Sequence, residues 1–83
     1  MKIFGLSYPI FNIDDVSDDL STVVFGIPES CWIKRVQVEA YGDDGDYEVT
    51  FVVETDDDDI ETTDLPIIHD DLERAGHRWT KTS

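Results

Sequence analysis

Residues 32–55, WIKRVQVEAYGDDGDYEVTFVVET, contain two stretches of alternating apolar and polar residues around a loop rich in glycine and aspartate. Alternation with a period of two is typical of antiparallel strands that bury one face. The loop GDDGD supplies glycines for positive φ and aspartates that favour local turns. This stretch therefore predicts a β-hairpin with strands over residues 32–41 and 47–55.

A turn centred on this loop predicts a register that places the apolar side chains of both strands on one face. The same register places Glu39 directly opposite Glu48 on the solvent face. Opposed like charges are unfavourable, on a scale of about 0.2–1 kcal/mol for a cross-strand pair. The predicted apolar pairs are Val36–Phe51, Val38–Val49 and Ala40–Tyr47.

Two further strands are predicted outside the hairpin. KIFGLSY, residues 2–8, has an alternating pattern, and Pro9 ends this strand or marks a sheet edge. TVVFGI, residues 22–27, is an apolar run that reads as another strand before Pro28. With the hairpin, these segments predict an antiparallel sheet of about four strands.

Helical spacing appears twice. In NIDDVSDDLS, residues 12–21, apolar side chains recur at positions typical of a short helix after the first strand. In DLPIIHDDLERAG, residues 64–76, Asp64 is a candidate cap, Pro66 fits a first turn and Gly76 follows the end. The predicted fold class is therefore α+β, with one C-terminal helix, and residues 77–83 are expected to form a flexible basic tail.

The length of 83 residues predicts a single compact domain over residues 1–83. Cys31 is the one cysteine, so no internal disulfide can form and a reducing cytoplasm is the expected location. Its place between Pro28 and Trp32 indicates a small buried apolar residue. The N-terminal MKIFGLSYPIF lacks the continuous apolar run of a signal peptide.

The strongest signal is charge: 20 acidic and 6 basic side chains give a formal net charge of −14. All 20 acids lie in residues 1–73 with three basic residues, for −17, whereas residues 74–83 carry three basic residues, for +3. Such a field repels nucleic acids and anionic membranes and attracts basic surfaces. Direct binding of DNA or RNA, which requires cations facing phosphates, is therefore not expected.

Aspartate clusters suggest a calcium-binding loop, but neither of the two candidate first positions satisfies the EF-hand pattern. Starting at Asp44 puts Val49 where glycine is required, and starting at Asp56 puts Ile60 at a ligand position. We interpret Asp56–Asp59 as a solvated charge run, the alternative being weak binding of a divalent cation.

Residues His69, Glu73 and His77 have the spacing of one helix face, but no fourth zinc ligand is apparent. Phosphate-binding glycine loops, dinucleotide fingerprints and serine triads are absent from the sequence. Acid–base catalysis needs a dry cleft, for which a domain of this size has little room. We therefore expect neither catalysis nor a metal or cofactor.

The acidic residues are concentrated in three segments: DDVSDD (14–19), GDDGDYE (42–48) and ETDDDDIETTD (54–64). In composition the chain resembles the small acidic DNA-mimic inhibitors encoded by phages and mobile elements, including anti-restriction and anti-CRISPR proteins. The resemblance implies a cytoplasmic inhibitor that occupies the basic site of a DNA- or RNA-handling protein. The predicted partner-binding residues are Asp14, Asp15, Asp18, Asp19, Glu39, Asp43, Asp44, Asp46, Glu48, Glu54, Asp56, Asp57, Asp58, Asp59 and Glu61.

Three alternatives stay open. The first is an acidic interaction module for a basic protein, antitoxin-like or an assembly factor; the second is acidity that only keeps the protein soluble in salt. The third is an enzyme, which would need a pocket containing Cys31 or His69. Four aromatic residues could anchor a partner but are expected mainly in the core, and the chain is expected to be a monomer or small homo-oligomer. These aromatics are Trp32, Tyr41, Tyr47 and Trp79.

Overall fold

The computed structural model describes residues 1–42 and 45–82. It is an α+β structure with a four-stranded antiparallel sheet in the order β2-β3-β1-β4. A short 3-10 helix, Thr62–Asp64, precedes the second α-helix. The elements are β1 (Lys2–Ile10), α1 (Asp15–Gly26), β2 (Cys31–Tyr41), β3 (Asp46–Thr55), α2 (Asp70–Arg74) and β4 (Thr80–Lys81).

The hairpin of β2 and β3 confirms the predicted register. Glu39 lies opposite Glu48, and the apolar pairs lie on the face covered by α1. A β-bulge between Ile33 and Arg35 adds one residue to β2, a detail that the alternation did not predict. The confirmed apolar pairs are Val36–Phe51, Val38–Val49 and Ala40–Tyr47.

Strand β1 lies between β3 and β4 and supplies much of the core. Its inward side chains are buried, and the strand continues through Pro9 to Ile10. Proline is tolerated there because β4 pairs with β1 only at Phe4 and Gly5, so Pro9 faces a neighbouring strand on one side. The buried residues of β1 are Phe4, Leu6, Tyr8 and Ile10.

The strand predicted over residues 22–27 is wrong, because α1 continues through this segment to Gly26. The helical spacing that begins at Val16 and Leu20 extends to Val23, which is 0% exposed, while Phe25 is 88% exposed. Packing of this one stripe against the sheet outweighs the weak strand preference of consecutive β-branched residues.

The C-terminal helix is shorter than the sequence predicts, spanning Asp70–Arg74 rather than residues 64–76. Asp64 belongs to the 3-10 helix, where its side chain accepts a hydrogen bond from the Glu61 backbone N–H at 2.8 Å. The carbonyl of Pro66 accepts a hydrogen bond from Trp79 Nε1 at 2.9 Å. These contacts, together with burial of Leu65, keep the chain out of a continuous helix before Asp70.

The segment for which the sequence predicts a tail contains β4, and its Trp79 is buried. The Thr82 backbone N–H donates to the Ile3 carbonyl at 2.7 Å, which extends the contact with β1. The core lies between one face of the sheet, α1 and the segment 60–79. Within the parts of the chain described above, no helix has the length and apolar character required to cross a bilayer.

Candidate functional site

The predicted partner-binding acids lie at both ends of the sheet rather than in one group. Asp46 begins β3 and Thr55 ends it, so nine steps of about 3.4 Å separate the two ends by roughly 30 Å. The whole molecule measures 41 × 24 × 22 Å. The acidic residues therefore form two sets, which are named here the hairpin-end set and the loop-end set.

The hairpin-end set occupies the end where β1 stops and α1 starts. β1 ends at Ile10, opposite Tyr47, and the helix begins five residues later. Aspartates in the first turn suit the positive end of the helix dipole. The set consists of Asp14, Asp15, Asp18, Glu39, Asp46 and Glu48; Asp43 and Asp44, also predicted to bind the partner, lie outside the described residues.

Within the hairpin-end set, Glu39 and Glu48 lie on the open face of the sheet, the face that α1 does not cover. Both side chains are exposed, and Gln37 Nε2 donates a hydrogen bond to Glu39. Asp14, Asp15 and Asp18 are exposed on the helix side. The set therefore spans two faces of the molecule.

The loop-end set, Asp56, Asp57, Asp58, Asp59 and Glu61, follows directly after β3. Its backbone is held by two side-chain turns. Thr55 Oγ1 accepts from the Asp57 N–H, and Asp57 Oδ1 accepts from the Asp59 N–H, each at 3.0 Å. Ile60 then enters the core, so the loop turns toward the helix side. The set is therefore an ordered loop rather than a repelling run without structure.

Lys2 connects this loop to the sheet, a role that no pattern in the sequence indicates. Its ammonium donates to the carbonyl of Asp58 at 2.6 Å and to that of Ile60 at 2.9 Å. It also contacts Glu61 Oε1 at 3.3 Å, and its side chain is largely buried. One cation thus stabilises the backbone of the most acidic segment while leaving Asp56, Asp58 and Asp59 exposed.

Two of the predicted partner-binding acids are buried and serve the fold. Asp19 is 3% exposed; it accepts a hydrogen bond from the Tyr8 hydroxyl at 2.6 Å, and its other oxygen lies 2.9 Å from His69 Nε2. Glu54 is 9% exposed, accepts from Trp32 Nε1 at 3.3 Å and pairs with Lys34 at 3.5 Å. A count of acidic residues in the sequence could not separate these two from the exposed ones.

The metal and enzyme alternatives depend on the surroundings of His69 and Cys31. His69 precedes α2 and lies against Asp19, and no three His, Cys, Asp or Glu side chains in the described residues could hold a metal ion. Cys31 is buried and free. His69 does line a cavity of about 350 Å³ whose other walls include Leu6, Leu72 and Trp79. That cavity is mostly apolar, and Thr62, which follows Glu61 of the loop-end set, is among its lining residues.

Burial raises the pKa of the Tyr8 hydroxyl far above its usual range, and the hydrogen bond and negative charge of Asp19 raise it further. The phenol is therefore a persistent hydrogen-bond donor. Because Tyr8 is 1% exposed, this group acts on stability rather than on a ligand.

Comparisons of the chain with protein-family models, curated proteins and solved structures found no match to any of them.

Proposed function

We propose that this protein is an inhibitor whose acidic surface occupies the basic, nucleic-acid-binding site of another protein. The observation that carries the proposal is the placement of two exposed acidic sets at opposite ends of a molecule 41 Å long. At one end, Asp14, Asp15 and Asp18 are exposed at the start of α1, and at the other end Asp56, Asp58 and Asp59 are exposed in the loop after β3.

The distance between the two acidic sets is close to the length of one turn of duplex DNA. The length of β3 separates them by roughly 30 Å. One turn of B-DNA spans about 34–36 Å, so phosphates on one side of the duplex recur at a similar distance. A basic groove that contacts DNA on one side over a turn would meet carboxylates at both of these positions.

The number of carboxylates is also close to the number of phosphates on a DNA duplex of the same length. A duplex carries one phosphate per about 1.7 Å of its axis, so 41 Å of DNA presents about 24 charges. The chain has 20 carboxylates, of which Asp19 and Glu54 are buried. Release of the cations held near these carboxylates would then favour association in the way that release of cations from DNA does.

The order of the loop-end set also favours tight binding. The contacts of Lys2 and the turns at Thr55 and Asp57 fix the loop before any partner arrives. A surface that is ordered in advance loses less conformational entropy on association. The acidic loop is therefore a better ligand for a rigid basic groove than an unstructured acidic tail of equal charge.

The test uses three double variants that each remove two negative charges. Asp58→Asn with Asp59→Asn changes the loop-end set, and Asp15→Asn with Asp18→Asn changes the helix side of the hairpin-end set. Glu39→Gln with Glu48→Gln is the matched control on the open face. Asp57 is kept because its carboxylate holds the loop. The measurement is the affinity for a partner captured from host lysate on immobilised protein.

We expect the Asp58, Asp59 variant and the Asp15, Asp18 variant each to weaken partner binding about tenfold, since two charge-assisted contacts are lost. The open-face control should bind nearly as well as the unchanged protein. Equal losses in all three variants would show that only net charge matters, and unchanged binding in both the Asp58, Asp59 and the Asp15, Asp18 variants would overturn the proposal. Thermal unfolding of each variant checks that the fold is retained.

A further inference from the structure

The open face of the sheet contains a cationic groove in an otherwise acidic protein. The groove has a volume of about 570 Å³ and a floor that includes Gly5, Ser7 and Thr50. Its basic side chains are Lys34, Arg35, His77 and Arg78. Three of the 6 lysines and arginines of the chain thus line one surface, and no acidic residue is among the described residues that line it.

The β-bulge in β2 creates one wall of this groove. Ile33 pairs with Val53 and Arg35 pairs with Val52, so Lys34 is the extra residue. The bulge lets Ile33 and Val36 both face the core while Lys34 and Arg35 both reach the groove. Bulges often redirect side chains at binding sites.

The C-terminal segment creates the opposite wall. Gly76 has a φ of 90°, a left-handed conformation that favours glycine, and it turns the chain from α2 back to the sheet. Arg78 Nε then donates to the Glu73 carbonyl at 3.4 Å, and β4 pairs with β1 at Gly5. His77 and Arg78 are thereby held across the groove from β2.

The two arginines are available to a ligand. Lys34 pairs with the mostly buried Glu54, but within residues 1–42 and 45–82 neither Arg35 nor Arg78 forms an ion pair. Both side chains are exposed at the groove. In a chain with 20 acidic and 6 basic residues, two arginines thus line one groove with no ion-pair partner among the described residues.

The chemistry of the groove fits phosphate. Guanidinium groups bind phosphate oxygens through paired, charge-assisted hydrogen bonds. The hydroxyls of Ser7 and Thr50 lie 2.8 Å apart, so one donates to the other and the second can donate to a ligand beside the arginines. The volume lies within the range of about 300–1,000 Å³ that is typical of small-molecule sites.

The surroundings favour a compact anion over a long one. Glu39 and Glu48 lie on the same open face toward the hairpin end, and Asp56 begins the acidic loop beyond the other end. A nucleic acid strand that extends beyond the groove would meet these carboxylates, whereas a compact ion contacts only the residues that line the groove. We propose that this groove binds a compact oligophosphate, at a site separate from the acidic partner surface.

The test is a titration of the ¹⁵N-labelled protein with inorganic triphosphate at low ionic strength, followed by amide chemical shifts. We expect saturable shifts at Gly5, Ser7, Thr50 and Thr80, with no such shifts from sodium chloride at equal ionic strength. Arg35→Gln and Arg78→Gln should each weaken binding about tenfold. Arg74→Gln, which removes an exposed arginine of α2 outside the groove, is the matched control and should change the affinity by less than about twofold.

A parallel titration with ATP distinguishes the source of the phosphate. Equal affinity for ATP and triphosphate assigns the site to the phosphates alone, whereas tighter binding of ATP assigns it to a nucleotide. Three outcomes would overturn the proposal: no saturable shifts, shifts confined to residues outside the groove, or equal losses in Arg35→Gln and Arg74→Gln. Amide spectra and thermal unfolding of each variant confirm that the sheet is intact.

Discussion

The Tyr8 hydroxyl donates a hydrogen bond to the buried carboxylate of Asp19 at 2.6 Å, and this contact joins the central strand to α1. The second oxygen of Asp19 accepts from His69 Nε2 at 2.9 Å, which adds the segment before α2 to the same network. One acidic residue thus connects three parts of the chain. Its contribution is to the fold, although its sequence context is that of a surface acid.

Replacing Tyr8 with phenylalanine should destabilise the protein by about 1.5–3 kcal/mol, because a buried charged acceptor loses its closest donor. The free energy of unfolding in urea measures the effect. Ser7→Ala is the control, since it removes a hydroxyl from the neighbouring, exposed position. A loss below about 0.5 kcal/mol for Tyr8→Phe would contradict the importance of this network.

Stability should also fall in alkaline solution because of Tyr8. Burial raises the pKa of its hydroxyl in the folded state, whereas the unfolded chain ionises at the usual value of about 10. The unfolded state therefore binds fewer protons above that pH, and stability declines there by up to about 1.4 kcal/mol per pH unit. Below that pH the contribution is fully present.

The check is a series of urea unfolding curves between about pH 9 and pH 11 for the unchanged protein and for Tyr8→Phe. Other groups that titrate in this range affect both proteins alike. We expect the steeper decline only where Tyr8 is present. Parallel declines in the two proteins would show that this hydroxyl does not set the alkaline limit.

Gly26 should not tolerate a side chain. A Cβ at this position would lie 2.5 Å from Pro66 Cβ, well inside van der Waals contact. Alanine gains about 1 kcal/mol in helix propensity, but overpacking typically costs about 1–3 kcal/mol. We expect Gly26→Ala to lower thermal stability, and Gly5→Ala, whose Cβ would lie at an ordinary 3.5 Å from Thr82, to be better tolerated.

A double variant makes this test sharper. If the clash with Pro66 causes the loss, adding Pro66→Gly, which removes both Pro66 Cβ and Cγ, to Gly26→Ala should recover part of it, so the two effects are not additive. Strict additivity of the unfolding free energies would place the cause elsewhere.

Lys2→Met should loosen the acidic loop more than it affects the sheet. The ammonium satisfies two backbone carbonyls at once, and methionine retains the apolar stem without the donors. Hydrogen exchange should accelerate at the amides of Asp59 and Ile60 while the amides of β3 stay protected. Lys81→Met, an exposed change on β4, should leave exchange in the loop unaltered.

The hairpin was predictable because its alternation is long and a one-residue slip would expose its whole apolar face. The helical structure of residues 22–27 was not predictable, since a short run of β-branched residues fits either a strand or the buried stripe of a helix. The C-terminal helix was overextended because Pro66 has a tertiary role, packing beside Gly26 and accepting from Trp79, which no local pattern reveals.

Of the candidate site, only its acidic composition was predictable from the sequence. The sequence identifies the acidic segments, but their division between two ends follows from strand pairing, and the burial of Asp19 and Glu54 follows from long-range partners. The cationic groove depends on a bulge and on Gly76, which bring together basic residues that are more than 40 positions apart in the sequence.

The most direct test of the proposed decoy surface is competition for the captured partner. Duplex DNA and poly-glutamate, supplied at equal total charge, compete with the immobilised protein while the ionic strength is held constant. We predict that duplex DNA displaces the partner at much lower concentration, because the two acidic sets reproduce phosphate spacing over about one helical turn. Displacement by both polymers alike, or by neither, would contradict mimicry. Either result would favour the alternative that the chain is an acidic interaction module for a basic protein unrelated to nucleic acid.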